Sequence, residues 1–89
     1  MNVLIDKSFA KDIDKINDKR VLHSLAKLIE SIKKAENLSS IQNCKKLRGT
    51  KNAYRIRSGD YRIGFLLIDQ NIELVRFLHR SEIYIFFPD

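Results

Sequence analysis

The feature that most constrains this chain is a short alternation, Tyr54-Arg55-Ile56-Arg57, which resumes after Ser58-Gly59-Asp60 as Tyr61-Arg62-Ile63. In a strand, successive side chains face opposite sides, so apolar residues at every second position describe a strand with one buried face. A small polar break containing glycine between two such runs describes a hairpin turn. Tyr54 and Ile56 then point to a core, while Arg55 and Arg57 point away from it. Arg62 resumes the cationic row on the returning strand.

The wider segment from Cys44 to Arg62 carries seven basic side chains against one acid, Asp60. The cations are Lys45, Lys46, Arg48, Lys51, Arg55, Arg57 and Arg62. That segment's excess of six equals the net charge of the whole chain, +6, so the positive balance is concentrated there rather than spread evenly. Such a concentration favours nucleic acid, an acidic protein partner or an anionic membrane surface. Its bland counterpart is a solvated face balanced by surface acids, and few acids lie nearby. Guanidinium is permanently charged and clamps phosphate through two parallel hydrogen bonds, which suits an RNA or DNA backbone.

The rest of the chain reads as support. Met1 to Ile5 is expected to form a first strand. Asp6-Lys7-Ser8 opens a helix, with Asp6 or Ser8 as its N-cap and Phe9, Ile13 and Ile16 as its apolar stripe. Val21, Leu22, Leu25, Leu28, Ile29 and Ile32 give a second, clearer amphipathic helix. Together these suggest a helical hairpin. Leu38 to Gln42 is a polar connection with room for a short helical turn. Strands are expected at Lys45–Leu47, Ala53–Arg57, Tyr61–Ile68 and Ile72–Leu78, with Tyr61–Ile68 central because it is nearly all apolar. Ser81 to Phe87 is expected to hold a short helical turn. The fold class is α+β: a strand, two helices, then an antiparallel meander with both helices on one face, in one domain over residues 1–89.

The C-terminal string His79-Arg80-Ser81-Glu82-Ile83-Tyr84 is a second constellation. His79 is the residue type most often used as a general base near neutral pH, though a lone histidine at a strand end is commonly structural. Arg80 shares strand parity with Arg76, so both extend the cationic face. Tyr84 either stacks on a base, works through its hydroxyl, or packs beside Phe86 and Phe87 as a core plug. The single cysteine, Cys44, excludes an internal disulfide and any cysteine-based metal site. With no metal-ligand spacing and no glycine-rich phosphate loop, neither metal nor cofactor is expected. Val3 to Ile5 is too short for a secretory segment, and no apolar run approaches the roughly 20 residues of a membrane span. A cytoplasmic protein without membrane contact is expected.

In this order, K-K-L-R-G, Y-R-I-R-S-G-D-Y-R-I-G and H-R-S-E-I-Y resemble the RelE/ParE superfamily of toxins from type II toxin–antitoxin modules, closest to the RelE branch. The resemblance covers nearly the whole chain. It implies a microbial RNase-like fold, a cognate acidic RelB-like antitoxin, and a ribosome-dependent mRNA endonuclease that uses no metal. In such enzymes the messenger's 2′-hydroxyl attacks the adjacent phosphate. By motif, Arg57, Arg62, Arg80 and Tyr84 are the implied catalytic residues, with His79 where a proton acceptor would be useful. Lys45, Lys46, Arg48, Lys51, Arg55 and Arg57 are the implied RNA-binding set. Some relatives carry lysine where Arg55 and Arg57 stand. Arginine is a poor proton acceptor at neutral pH, which leaves charge stabilisation as the role for these positions. The superfamily also holds ParE-type members that inhibit DNA gyrase without cutting RNA. A catalytically degenerate RNA-binding module is the third reading. Antitoxin could act by covering the arginine face or by displacing the Tyr84 end.

Overall fold

The computed structural model describes residues 1–88. Strand β1 (Asn2–Ile5) leads into helices α1 (Lys7–Asp14) and α2 (Lys19–Lys34). A single 3-10 turn at Leu38–Ser40 precedes β2 (Cys44–Lys46), β3 (Ala53–Ser58), β4 (Tyr61–Ile68) and β5 (Asn71–His79), and a four-residue helix α3 (Ile83–Phe86) follows. The five strands form one sheet in the order β1-β5-β4-β3-β2. β4 is central, as its apolar composition implies. The alternation at residues 54–63 is a hairpin, and Gly59 supplies its positive φ of 59°.

Each helix begins where its sequence signals. Asp6 caps α1, its carboxylate accepting from the Ser8 amide at 3.1 Å and from the Ser8 hydroxyl. Those two hydrogen bonds, the hydroxyl's first, hold the Asp6 carboxyl below its ordinary value. Asp18 caps α2 in the same way, accepting from the Arg20 amide at 2.9 Å.

Phe9, Leu25 and Ile32 from the helices pack with Ile56, Ile63, Phe65, Ile72, Leu74 and Phe77 from the sheet. This is the main core. It places Tyr54 and Ile56 on the helix-covered face and, by alternation, Arg55 and Ala53 on the other.

The second face is only partly covered. Ile83 and Phe87, four positions apart, lie against Ala53, with Leu47, Leu66, Val75 and Leu78 around them. Gly64 makes this possible. A Cβ built there would stand 2.6 Å from the Phe87 ring, so only glycine lets the ring rest on the strand.

Two features differ from the sequence-based expectation. β1 adds a parallel edge to the expected antiparallel meander: it pairs with β5, Val3 beside Ile72 and Ile5 beside Leu74. The meander is also interrupted, because the β4–β5 register shifts between Gly64 and Phe65. Gly64 pairs with Arg76 but Phe65 with Leu74, which leaves Val75 as the extra residue of a bulge.

Candidate nucleic-acid interface

The sheet register brings part of the expected cationic row together. Lys45 sits opposite Arg55, Arg55 opposite Gly64, and Arg57 opposite Arg62. Alternation puts all four cations on the face away from the main core. Like charges directly opposed across a strand pair cost stability, so the Arg57–Arg62 juxtaposition is an expense the fold carries. Arg57 is exposed at the end of β3, its Nη2 donating to Asn43 Oδ1 at 3.3 Å. Arg55 Nη1 donates to the Asn43 carbonyl at 3.4 Å. Arg62 folds back over the β3–β4 turn, its Nη1 donating to the carbonyls of Gly59 at 2.8 Å and Tyr61 at 2.9 Å.

Arg80 joins them from the other side of that turn. Its amide donates to the Asp60 carbonyl at 2.7 Å, which ties the end of β5 to the hairpin. Its guanidinium stands 4.0 Å from the Asp60 carboxylate and its side chain is 65% exposed. An ion pair this long and this solvated holds the cation weakly. Arg62 and Arg80 therefore flank one turn, and of the two only Arg80 has an ion pair among the described residues, the long one to Asp60.

Other expected members lie elsewhere. Arg48 and Lys51 occupy the β2–β3 turn, at the opposite end of β3 from Arg62, roughly 17 Å along a six-residue strand. Lys46 has the opposite parity to Lys45, pairs with Tyr54, and projects from the sheet edge on the helix side. Cys44, half-buried at the start of β2, has its thiol pushed above the ordinary value by burial, an effect the Arg55 guanidinium partly opposes.

Arg76 corrects the expectation of a free extension of the cationic row. Its Nε donates to Asp12 Oδ2 at 2.8 Å and its Nη2 to Asp12 Oδ1 at 3.1 Å, a two-point clamp on a carboxylate that is 5% exposed. Asp12 was not a residue that helix periodicity marks as special. Its one sequence signal is position: it adjoins Ile13 and falls three after Phe9, on the buried stripe.

His79 is paired with Tyr61 and shares its side of the sheet, the helix side, across from the Arg62 face. Tyr61 stacks on Phe77 and meets the His79 ring edge-on at 5.8 Å. His79 Nδ1 accepts from the Ser81 amide at 3.1 Å and lies 2.8 Å from the Ser81 hydroxyl. That arrangement assigns the lone pair to Nδ1 and the proton of the neutral ring to Nε2. The free nitrogen is thus a donor. The ring borders a cleft of about 360 Å³ with Lys15, Arg76, Glu82 and Phe86.

Tyr84 is not the core plug; Ile83 and Phe87 are. Tyr84 is 58% exposed on the one-turn helix that covers the second face, so it stands on the same side of the sheet as Arg55 and Arg62. Among the described residues, no group of three or more histidine, cysteine, aspartate or glutamate side chains is placed to hold a metal ion, and no helix is long and apolar enough to cross a membrane.

The family model for the ParE toxin of the type II toxin–antitoxin system parDE matches residues 3–84. The chain is 36% identical to Toxin RelE3 of Methanocaldococcus jannaschii, covering 99% of this chain and all of that one. The toxin of the RelB–RelE antitoxin–toxin complex from Methanococcus jannaschii superposes with a TM-score of 0.80 at 34% identity, covering 96% of this chain and 99% of that one. A chain of the RelBE2 toxin–antitoxin complex from Mycobacterium tuberculosis shares the fold, with a TM-score of 0.72 at 22% identity over 89% of this chain and 96% of that one. The chain belongs to the RelE/ParE family and is a toxin of a type II toxin–antitoxin system.

Proposed function

We propose that this toxin is a ribosome-dependent mRNA endonuclease, acting as a single cytoplasmic domain over residues 1–89 and restrained by an acidic RelB-like antitoxin. The observation that carries this reading is the anchoring of both Arg62 and Arg80 at the β3–β4 turn, Arg62 on backbone carbonyls and Arg80 in a long, solvated pair with Asp60. Permanent cations held in place but not neutralised are suited to charge that develops on a phosphate.

In the proposed reaction, the messenger's 2′-hydroxyl oxygen forms a bond to the adjacent phosphorus and the bond to the 5′-oxygen breaks. The products are a cyclic phosphate and a 5′-hydroxyl. Arg62 and Arg80 offset the negative charge on the non-bridging oxygens. Arg55, Arg57 and Lys45 hold neighbouring phosphates, and Tyr84 meets the substrate from α3. Arg48 and Lys51 extend phosphate contact toward the far hairpin end, and Lys46 at the sheet edge. His79, on the opposite face with its lone pair engaged by Ser81, acts from the rim of the turn rather than as the proton acceptor at phosphorus.

Induced expression followed by primer extension on cellular messages tests this. Codon-phased 3′ ends are expected, and the Arg62→Ala/Arg80→Ala double variant should cut at least 100-fold more slowly, as for loss of preorganised charge stabilisation. A folded double variant with full toxicity refutes the mechanism. The match to the ParE model favours one alternative, gyrase inhibition without RNA cleavage. Intact messages accompanied by DNA damage would establish it.

A further inference from the structure

β1 pairs with β5 only as far as Leu74, so the outer edge of β5 beyond that point lacks a strand. α1 completes it with side chains and its N-cap. The Asp6 amide donates to the Leu74 carbonyl at 2.9 Å, the Ser8 hydroxyl to the Val75 carbonyl, and Asp12 Oδ2 accepts from the Phe77 amide at 2.9 Å. A neutral asparagine could accept that one amide. The buried charge of Asp12 serves something more, and what it touches is Arg76.

The held guanidinium is in turn a platform. Its carbon lies 5.5 Å from the centre of the Phe86 ring, within cation–π range. Phe86 is 46% exposed, whereas Ile83 at the start of α3 and Phe87 just past its end are fully seated in the apolar pocket. Those two, one turn apart, fix where the short helix lies but leave rotation about their common line weakly defined. Phe86 on Arg76 defines it. Tyr84 is on the same single turn, so its direction follows.

We propose that Asp12 is a positioning residue for the C-terminal segment: through Arg76 and Phe86 it sets the rotation of α3 and hence where Tyr84 points. The functional half of this inference rests on the nuclease reading, in which Tyr84 meets the substrate. Asp12 never approaches the RNA. The linkage itself stands on contacts alone.

The test uses the whole toxin, purified with its antitoxin and released. Asp12→Asn keeps an acceptor for the Phe77 amide but removes the charge. Phe86→Leu keeps apolar volume but removes the ring, and leaves the core untouched. Hydrogen exchange of the Phe87 amide, which donates to the Ile83 carbonyl at 2.8 Å, reports α3. Both variants should speed that exchange about tenfold while amides of α2 change less than about twofold. In ribosome-programmed cleavage, kcat should fall about tenfold with KM within about twofold, and the double variant should be no worse than either single one. Unchanged Phe87 exchange in Phe86→Leu, or additive losses in the double variant, overturns the proposal. If Asp12→Asn fails to fold, Phe86→Leu with Arg76→Lys decides the same point. If the wild-type toxin cuts no RNA, the nuclease reading fails, and the exchange data still decide whether the linkage exists.

Discussion

The two faces of the sheet are built to different ends. The helix-covered face is closed by Phe9, Leu25 and Ile32 packing on fully buried strand residues. The other is closed over one half only, by Ile83 and Phe87, and its remaining half presents Lys45, Arg55, Arg57, Arg62 and Arg80. The contrast extends to single residues. Arg76 is clamped by a buried carboxylate, whereas Arg80 meets its acid at 4.0 Å in solvent. The same side chain thus serves as a structural strut in one place and as an available charge in another. The difference lies in how much water each retains.

That comparison is breakable. Truncation on the closed face should cost most: Phe65→Ala removes a fully buried ring and should destabilise by about 4 kcal/mol in chemical denaturation. Gly64→Val should cost about 2 kcal/mol, because its side chain collides with the Phe87 ring, and should expose the apolar pocket to a hydrophobic dye. On the open half, Arg80→Ala should change stability by less than about 0.5 kcal/mol while abolishing toxicity. A loss comparable to Gly64→Val would show that the cationic half is structural after all. The smallest effect is at Asp6. Its carboxyl is lowered in the fold, so its contribution is present above the unfolded value of about 3.9 and is lost as pH falls through the folded one. Acid titration of stability should be shallower in Asp6→Asn.

Local features were legible and non-local ones were not. The hairpin at residues 54–63, the Asp6 cap, the two helices and the central position of β4 all follow from spacing within a few residues. So does the outward parity of Arg55 and Arg62. What spacing could not reveal was what lies across the fold. Asp12 reads as an ordinary helix acid until Phe77 and Arg76 come beside it. Arg76 reads as one more cation of the row. Alternation alone sets His79 opposite to Arg80, but not that it would pair with Tyr61 and meet that ring edge-on. The bulge at Val75 also leaves no mark in the sequence. It shifts the register by one residue partway along β5, so parity counted from His79 does not reach Leu74.

The parallel pairing of β1 with β5 has a consequence for synthesis. β1's hydrogen-bonding neighbour is translated about seventy positions later, and closing so long a loop is a slow, entropy-limited step. Until β5 has been made, β1 can rest only on α2, where the Met1 amine donates to the carbonyls of Lys33 and Ala35, and the edge of β5 that Asp12 completes does not yet exist. In a chain arranged in this way the β2–β3–β4 hairpins can pair early, whereas the β1 edge of the sheet closes only after β5 has been made.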